Sequence, residues 1–384
     1  MQAFHMLPRI GNPRATAIAT GFTRGMCAEW KWSGTHYERN SRTHGSGDFR
    51  TLRRDRGAPF PFLVQTPSPV GPARARLWPD FPAGQIPPVP ELPEIAAYLH
   101  ALERRIGGAR LLGVRVRSVA LLATWDPPLE AAAGKRVGGL RRLGKRIVIS
   151  LEDDLFLAIH LMIAGRLRWT DTPWSIPRKG GLAAFDFSTG SLLLVEAGTK
   201  RRARLHLVRG EEALAALDPG GVEVAGSGLA AFQAALLRER HTLKRALTDP
   251  RAFSGIGGAF ADEILHRARL SPLQMNANLS DDEIERLWRA SRATLDEWTA
   301  IRIGETGEGF PEKVTAFHPQ MAVHGRHGEP CPVCGAPVQR IVYADRETNY
   351  CPGCQTGGRI LADRAMSRIL REDWPRTLEE LEGV

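Results

Sequence analysis

Four cysteines near the carboxyl end offer the clearest metal chemistry in this chain. They follow the spacing Cys-x2-Cys-x16-Cys-x2-Cys and are Cys331, Cys334, Cys351 and Cys354. This spacing is typical of a tetrathiolate zinc site, in which an intervening hairpin brings two short knuckles together. Four sulfur ligands leave no open position for water, so we predict one zinc ion (Zn2+) with a structural role.

The remaining cysteine and the charge distribution limit the class of protein. Cys27 is the only other cysteine of the 384-residue chain, so a disulfide framework is not expected and a reducing, cytoplasmic setting is predicted. Neither a membrane-spanning apolar run nor a signal-peptide pattern is present, so no membrane partner is expected. Residues 1–88 hold 12 Lys and Arg against 5 Asp and Glu, which leaves +3 of the net +10 to residues 89–384. A prediction of nucleic-acid binding therefore depends on where the charges lie and not on the net charge.

Three blocks of predicted elements would position the polar groups. Residues 91–208 read mostly as strands, such as the alternating segment 146–151, behind one opening helix with apolar residues at helical spacing between Ile95 and Ile106. Residues 229–303 carry a helical pattern. The cysteine hairpin follows, and residues 361–384 form an amphipathic tail without an assigned role. The pattern predicts an α+β multidomain protein.

Several segments, in order, resemble the formamidopyrimidine-DNA glycosylase and endonuclease VIII family over residues 90–360. They are Pro90-Glu91-Leu92-Pro93-Glu94, the basic-Gly-Lys segment 141–146, the His-Leu segment 160–166, the glycine-rich helical turn 254–263 and the segment 325–331 that leads into the finger. The resemblance implies an amino-terminal β-sandwich flanked by helices, a helix-two-turn-helix domain and a carboxyl-terminal β-hairpin zinc finger. The expected boundaries are 90–222 for the catalytic domain, 223–320 for the DNA-binding domain, 321–360 for the finger and 361–384 for the tail.

The resemblance also implies a chemistry. Pro90 would be the nucleophile of a bifunctional DNA glycosylase and abasic-site lyase of base excision repair, because a secondary amine forms a charged iminium with the sugar. Glu91 would move protons at the sugar. Lys145 would act as a general acid and phosphate contact. The partner would be double-stranded DNA with damaged bases or abasic sites, bound by a monomer associated with a bacterial nucleoid.

Two groups of residues would hold the DNA while the damaged nucleotide is extruded. The helical turn would offer backbone N–H groups to a phosphate, and Arg346 of the hairpin would clamp phosphates and support the last elimination step. The full set of expected DNA contacts is Lys200, Arg201, Arg202, Lys244, Gly257, Gly258 and Arg346. The family usually has asparagine at Gly258, and a lesion-capping loop is expected near residues 304–318. The void-filling residues and the preferred lesion are not assigned.

Residues 1–89 conflict with this chemistry, because the nitrogen of Pro90 inside a longer chain is an amide whose lone pair is delocalised. We expect a leader that is untranslated or disordered. Val89 precedes Pro90, and a valine codon can serve as a bacterial start. The alternative is a catalytically inactive protein that recognises damaged or bent DNA on the same scaffold. A zinc-ribbon accessory protein would explain the cysteines but not the segment at Pro90.

Overall fold

The computed structural model describes residues 89–197, 201–311, 314, 317–343, 346–363, 366–370 and 374–382. These residues belong to one compact unit with a pair of sheets, a helical block and a strand hairpin in that order. No helix in the described part of the chain has the length and apolar character needed to cross a membrane. The predicted leader, residues 1–89, lies outside the described residues except for Val89.

Two four-stranded antiparallel sheets form the amino-terminal sandwich, with strand orders β1-β6-β7-β5 and β2-β3-β4-β8. Alternate residues of β3, such as Ile147 and Ile149, face the interior between the sheets, whereas Val148 packs in a smaller cluster on the opposite face. Both faces of β3 and β4 are therefore covered, which explains their continuous apolar sequence. The strands are β1 (Leu111–Val116), β2 (Val137–Leu143), β3 (Arg146–Leu151), β4 (Leu155–His160), β5 (Gly165–Thr170), β6 (Gly181–Phe187), β7 (Gly190–Glu196) and β8 (Arg204–Arg209).

Helix α1 (Leu92–Ile106) begins directly after the predicted nucleophile and its neighbour. Pro93 lies in the first turn, where a missing N–H costs nothing. The apolar face of α1, including Tyr98 and Leu102, is fully buried against the sandwich. Packing of this face fixes the position of the segment just before the helix.

The helical block follows a short helix, α2 (Glu211–Ala215), and has a core of its own. Its helices are α3 (Leu229–Leu237), α4 (Leu243–Thr248), α5 (Gly258–Ala268) and α6 (Asp281–Thr306). The glycine-rich turn before α5 needs glycine at 255, where φ is +81°. The Leu92 N–H donates to the Gly255 carbonyl at 3.0 Å, so this turn packs on the start of α1.

The hairpin consists of β9 (Gln339–Tyr343) and β10 (Arg346–Tyr350), followed by helices α7 (Pro352–Thr356), α8 (Met366–Leu370) and α9 (Leu378–Glu382). The tail folds back on this hairpin. The Leu361 N–H donates to the Tyr350 hydroxyl at 2.8 Å, and the carboxylate of the buried Asp363 accepts from the Val342 N–H at 2.7 Å. The predicted fold class, a sandwich followed by a helical domain and a hairpin finger, is confirmed.

Candidate active site and metal centre

The carboxylate of Glu91 is buried where the sandwich meets the helical block. It accepts hydrogen bonds from the backbone N–H groups of Gly257 (2.5 Å), Ala259 (2.9 Å) and Phe260 (3.3 Å). These donors lie at the amino end of α5, where N–H groups have no partner within the helix. Glu91 therefore supplies acceptors for the N–H groups of the turn, and these hydrogen bonds fix the side chain next to Pro90 in one orientation.

Gly257 allows Lys145 to approach the same carboxylate. A Cβ atom added at position 257 would lie 2.5 Å from Glu91 Oε1 and 2.6 Å from Lys145 Nζ, so only glycine fits between the two charged groups. Burial lowers the pKa of Lys145, and attraction to the carboxylates of Glu91 and Glu94 partly offsets this effect. Pro90 is itself buried. The structure thus brings Pro90, Glu91, Lys145 and Gly257 together.

A second buried carboxylate, Glu94, lies behind Glu91. Its Oε2 accepts from the Glu91 N–H at 2.9 Å, and its Oε1 accepts from Arg302 Nε at 3.2 Å. Burial raises the pKa of Glu94 to about 7; Arg302 works against this rise and Glu91 adds to it. Glu94 can therefore hold or release a proton close to neutral pH.

A cavity of about 460 Å³ lies beside Glu94 and Arg302, and Glu305 and His318 also line it. Arg302 Nη1 donates to Glu305 at 3.1 Å, and Glu305 also contacts His318 Nε2 at 2.6 Å. The walls are mainly apolar and include Ala97, Phe310, Pro311, Val314, Phe317 and Pro319. The predicted lesion-capping loop, residues 304–318, borders this cavity, although its residues 312, 313, 315 and 316 lie outside the described part.

The four cysteines converge as predicted. Sγ of Cys331 lies 3.9 Å from that of Cys354, and Sγ of Cys334 lies 3.3 Å from that of Cys351. Four sulfurs on a tetrahedral zinc at ~2.3 Å would be about 3.8 Å apart, so these spacings suit the metal. A Cβ added at Gly353 would lie 2.9 Å from Cys334 Sγ, which explains the glycine in the second knuckle.

The predicted DNA contacts differ in whether their side chains are bound to other residues of the protein. Arg346 and Arg201 are exposed, and neither side chain makes a hydrogen bond or ion pair with another described residue. Lys244, in contrast, is bound internally, because its ammonium donates to the Gly258 carbonyl and pairs with the buried Asp262. An added Cβ at Gly258 would meet nothing within 4 Å, so this position faces open space.

The backbone just before β8, at Arg202 and Ala203, is bound by a carboxylate that was not predicted from the sequence. Both oxygens of the buried Glu196 accept from the backbone N–H groups of Arg202 and Ala203, at distances between 2.9 and 3.4 Å. Glu196 therefore sets the backbone conformation next to Arg201. Lys200 lies outside the described residues.

Other residues of the site were also missed. Glu94 lies in the Pro90–Glu94 segment but had no predicted role, and no pattern around Arg302 in the sequence indicated a partner 208 residues away. Glu263 lies in the segment 254–263 and likewise had no predicted role. Its carboxylate accepts from the N–H groups of Ala322, Val323 and His324 at 2.8 to 2.9 Å. This cluster ties α5 to the segment that leads into the finger.

Family comparisons agree with this architecture. The formamidopyrimidine-DNA glycosylase N-terminal domain model matches residues 89–205, the H2TH domain model matches residues 223–311, and the zinc finger found in FPG and IleRS matches residues 328–357. A formamidopyrimidine-DNA glycosylase from Thermus thermophilus is 34% identical over 292 residues, covering 70% of this chain and 100% of that protein. The chain belongs to the formamidopyrimidine-DNA glycosylase family. Its zinc finger match and its cluster of cysteines with His266 suit one structural zinc ion.

Solved structures give the same result. The MutM (Fpg) protein from Thermus thermophilus is similar with a TM-score of 0.59 and 32% identity, covering 69% of this chain and 98% of that chain. A Lactococcus lactis Fpg (MutM) complex with DNA containing FAPY-dG has a TM-score of 0.61 and 25% identity, covering 69% and 100%. The resemblance inferred from the motifs is thereby confirmed.

Proposed function

We propose that this protein is a bifunctional DNA glycosylase and abasic-site lyase that removes oxidised bases from double-stranded DNA. The observation that carries the proposal is the convergence of Glu91 and Lys145 at Gly257, directly beside Pro90. Family membership supports it, since the relatives in the comparisons are named formamidopyrimidine-DNA glycosylases. The Lactococcus structure that resembles this chain was solved with damaged DNA.

In the proposed reaction the nitrogen of Pro90 attacks the anomeric carbon C1′ of the damaged nucleotide. The bond from C1′ to the base breaks, and the base leaves with its electron pair. The proline nitrogen gives up its proton, and the base takes up one proton in exchange. Opening of the sugar ring places a proton on the ring oxygen, supplied by Glu91 or Lys145, and leaves an iminium between C1′ and the proline nitrogen. Loss of a C2′ proton then expels the 3′ phosphate, and a second elimination expels the 5′ phosphate.

Burial lowers the pKa of Lys145, so proton transfer from its ammonium costs less than from an exposed lysine.

The DNA would be held by groups on both sides of this centre. Arg346 would hold flanking phosphates through its planar fork of donors. The extruded base would enter the cavity lined by Glu94 and Arg302, and Glu94 in turn accepts a hydrogen bond from the Glu91 N–H. We expect the working form to be a monomer with the domain boundaries given above.

This chemistry requires a free amine at Pro90, so we infer that the working enzyme begins there. The amino-terminal domain match starts at residue 89, and the Thermus relative is matched over its full length by 70% of this chain. Both observations support an active form without residues 1–89. If these residues are retained, the same scaffold would serve as a binder of damaged DNA, because Val89 would block the nitrogen.

Borohydride trapping on an oligonucleotide with one abasic site tests the proposal. We expect a covalent adduct for protein that starts at Pro90 and none for the matched control that retains one extra residue before it. Mass spectrometry of the native protein then shows which form exists. A zinc-loaded, folded Pro90-started protein that binds this DNA without forming an adduct would contradict the lyase assignment and favour the binder.

A further inference from the structure

Helix α5 contacts the zinc finger through a histidine that the proposed reaction does not use. His266 is 6% exposed, and its Nε2 lies 3.3 Å from Sγ of Cys331. One turn before it, Glu263 binds the backbone of the segment 322–324, and just after the helix the Leu270 carbonyl accepts from Gln355 at 2.9 Å. Three consecutive contacts thus join α5 to the finger, and one of them involves a predicted zinc ligand.

The chemistry of the sulfur decides what the histidine contact is. A cysteine that binds zinc is a thiolate, which has no proton and can only accept a hydrogen bond. A nitrogen at 3.3 Å from such a sulfur therefore has to donate its N–H. We propose that His266 is a positioning residue of the metal centre, which donates an Nε2–H hydrogen bond to the Cys331 thiolate and ties α5 to the zinc.

A histidine among cysteines could also bind the metal directly, since His266 lies within 4.8 Å of the sulfurs of Cys331, Cys351 and Cys354. The donor role is favoured because Sγ of Cys334 lies 3.3 Å from that of Cys351, so Cys334 can supply the fourth sulfur ligand. Four thiolates complete a tetrahedral zinc site and leave no position for a nitrogen. His266 belongs to α5 in another domain and not to the finger.

The contact has a consequence for the rest of the molecule. The amino end of α5 holds the carboxylate of Glu91, and the same helix holds the Cys331 sulfur less than three turns later. The metal and the Glu91 carboxylate are therefore attached to one 11-residue helix. Hydrogen bonds of this kind orient metal ligands and strengthen metal retention, and their removal typically costs about 10- to 100-fold in metal affinity.

Zinc release from the complete 384-residue chain tests the proposal. The variant His266→Phe keeps a flat apolar ring but has no N–H, so we expect zinc transfer to a chromogenic chelator to become about 10- to 100-fold more favourable. His266→Gln retains an N–H at similar reach, and we expect it to restore most of the retention. The control is Glu263→Gln, which weakens the hydrogen bonds between α5 and residues 322–324 without contacting a cysteine.

The Co2+-substituted protein supplies a readout that loss of packing alone would not change. A hydrogen bond lowers the energy of the sulfur lone pairs, so its removal in His266→Phe should move the sulfur-to-metal charge-transfer band to longer wavelength. The band should stay in place in Glu263→Gln and return to its wild-type position in His266→Gln. An unmoved band in folded His266→Phe would overturn the proposal, as would X-ray absorption of the wild-type zinc protein showing a nitrogen ligand.

Discussion

The charged groups beside Pro90 and those on the outer surface are held in opposite ways. Glu91 and Glu94 are buried, and each carboxylate oxygen has a partner in the backbone or in Arg302. The side chains of Arg346 and Arg201 are exposed and make no hydrogen bond or ion pair with another described residue. Buried charges depend on their partners, so changes there should alter stability and rate. Exposed arginines are available to a ligand, so changes there should alter affinity and its salt dependence.

The largest effect is expected from Glu91→Gln in protein that starts at Pro90. Loss of the proton-transferring carboxylate should lower the single-turnover rate of base excision by about 10²- to 10⁴-fold. The matched control is Glu263→Gln, which alters a carboxylate bound by three backbone N–H groups away from Pro90. We expect this control to lower stability while the rate per folded molecule stays within a few-fold. Equal excision rates for the two variants would show that Glu91 takes no part in the reaction.

Gly257→Ala should give the next largest effect. The new methyl group would lie 2.5 Å from Glu91 Oε1 and 2.6 Å from Lys145 Nζ, so both side chains must move. We expect a loss of about 1–3 kcal/mol in the free energy of unfolding and about 100-fold in excision rate. Gly258→Ala is the neighbouring control, because its methyl group meets nothing within 4 Å. Chemical denaturation and single-turnover kinetics of the pair would show whether close approach at 257 matters.

The sequence predicted those parts of the fold and site that depend on local spacing. The cysteine pairs, the Pro90 segment and the glycine-rich turn each fall within a few residues. In the structure the cysteine sulfurs lie close together, and the turn packs on the start of α1 beside Pro90. The pairing of Glu94 with Arg302 and the contact of His266 with Cys331 join residues far apart in the chain, and no local pattern marks them. The internal ion pair of Lys244 was missed for the same reason.

A smaller effect is expected from Arg346→Ala, which tests the exposed group. Loss of one charge-assisted phosphate contact should weaken DNA binding by about 10-fold and reduce the slope of log affinity against log salt by about 1. The thermal midpoint should hardly change, because the side chain has no described partner. Arg346→Lys should keep the salt slope while losing part of the affinity. Binding isotherms at several salt concentrations check this, and an unchanged slope for Arg346→Ala would contradict a phosphate contact.

Per pH unit, the smallest effect is expected from Glu94→Gln, and it concerns stability. Burial raises the pKa of Glu94 from 4.5 to about 7, so the folded chain keeps a proton that the unfolded chain releases. Its contribution to stability is therefore complete below pH 4.5 and is lost as the pH rises towards 7. Relative to Glu94→Gln, the wild type should lose about 1 kcal/mol per pH unit in this window. Denaturation curves across the range measure the difference, and parallel curves would show that Glu94 is ionised throughout.

The tail that folds back on the hairpin has a practical consequence. Asp363 binds the Val342 N–H on the side of β9 that faces away from β10, and this strand pairs with no other described strand. Bare strand edges invite pairing with other chains, which leads to aggregation. Shortening the protein to residue 357, where the finger match stops, would expose this edge of β9. Protein shortened to the family boundaries should therefore lose solubility before it loses zinc.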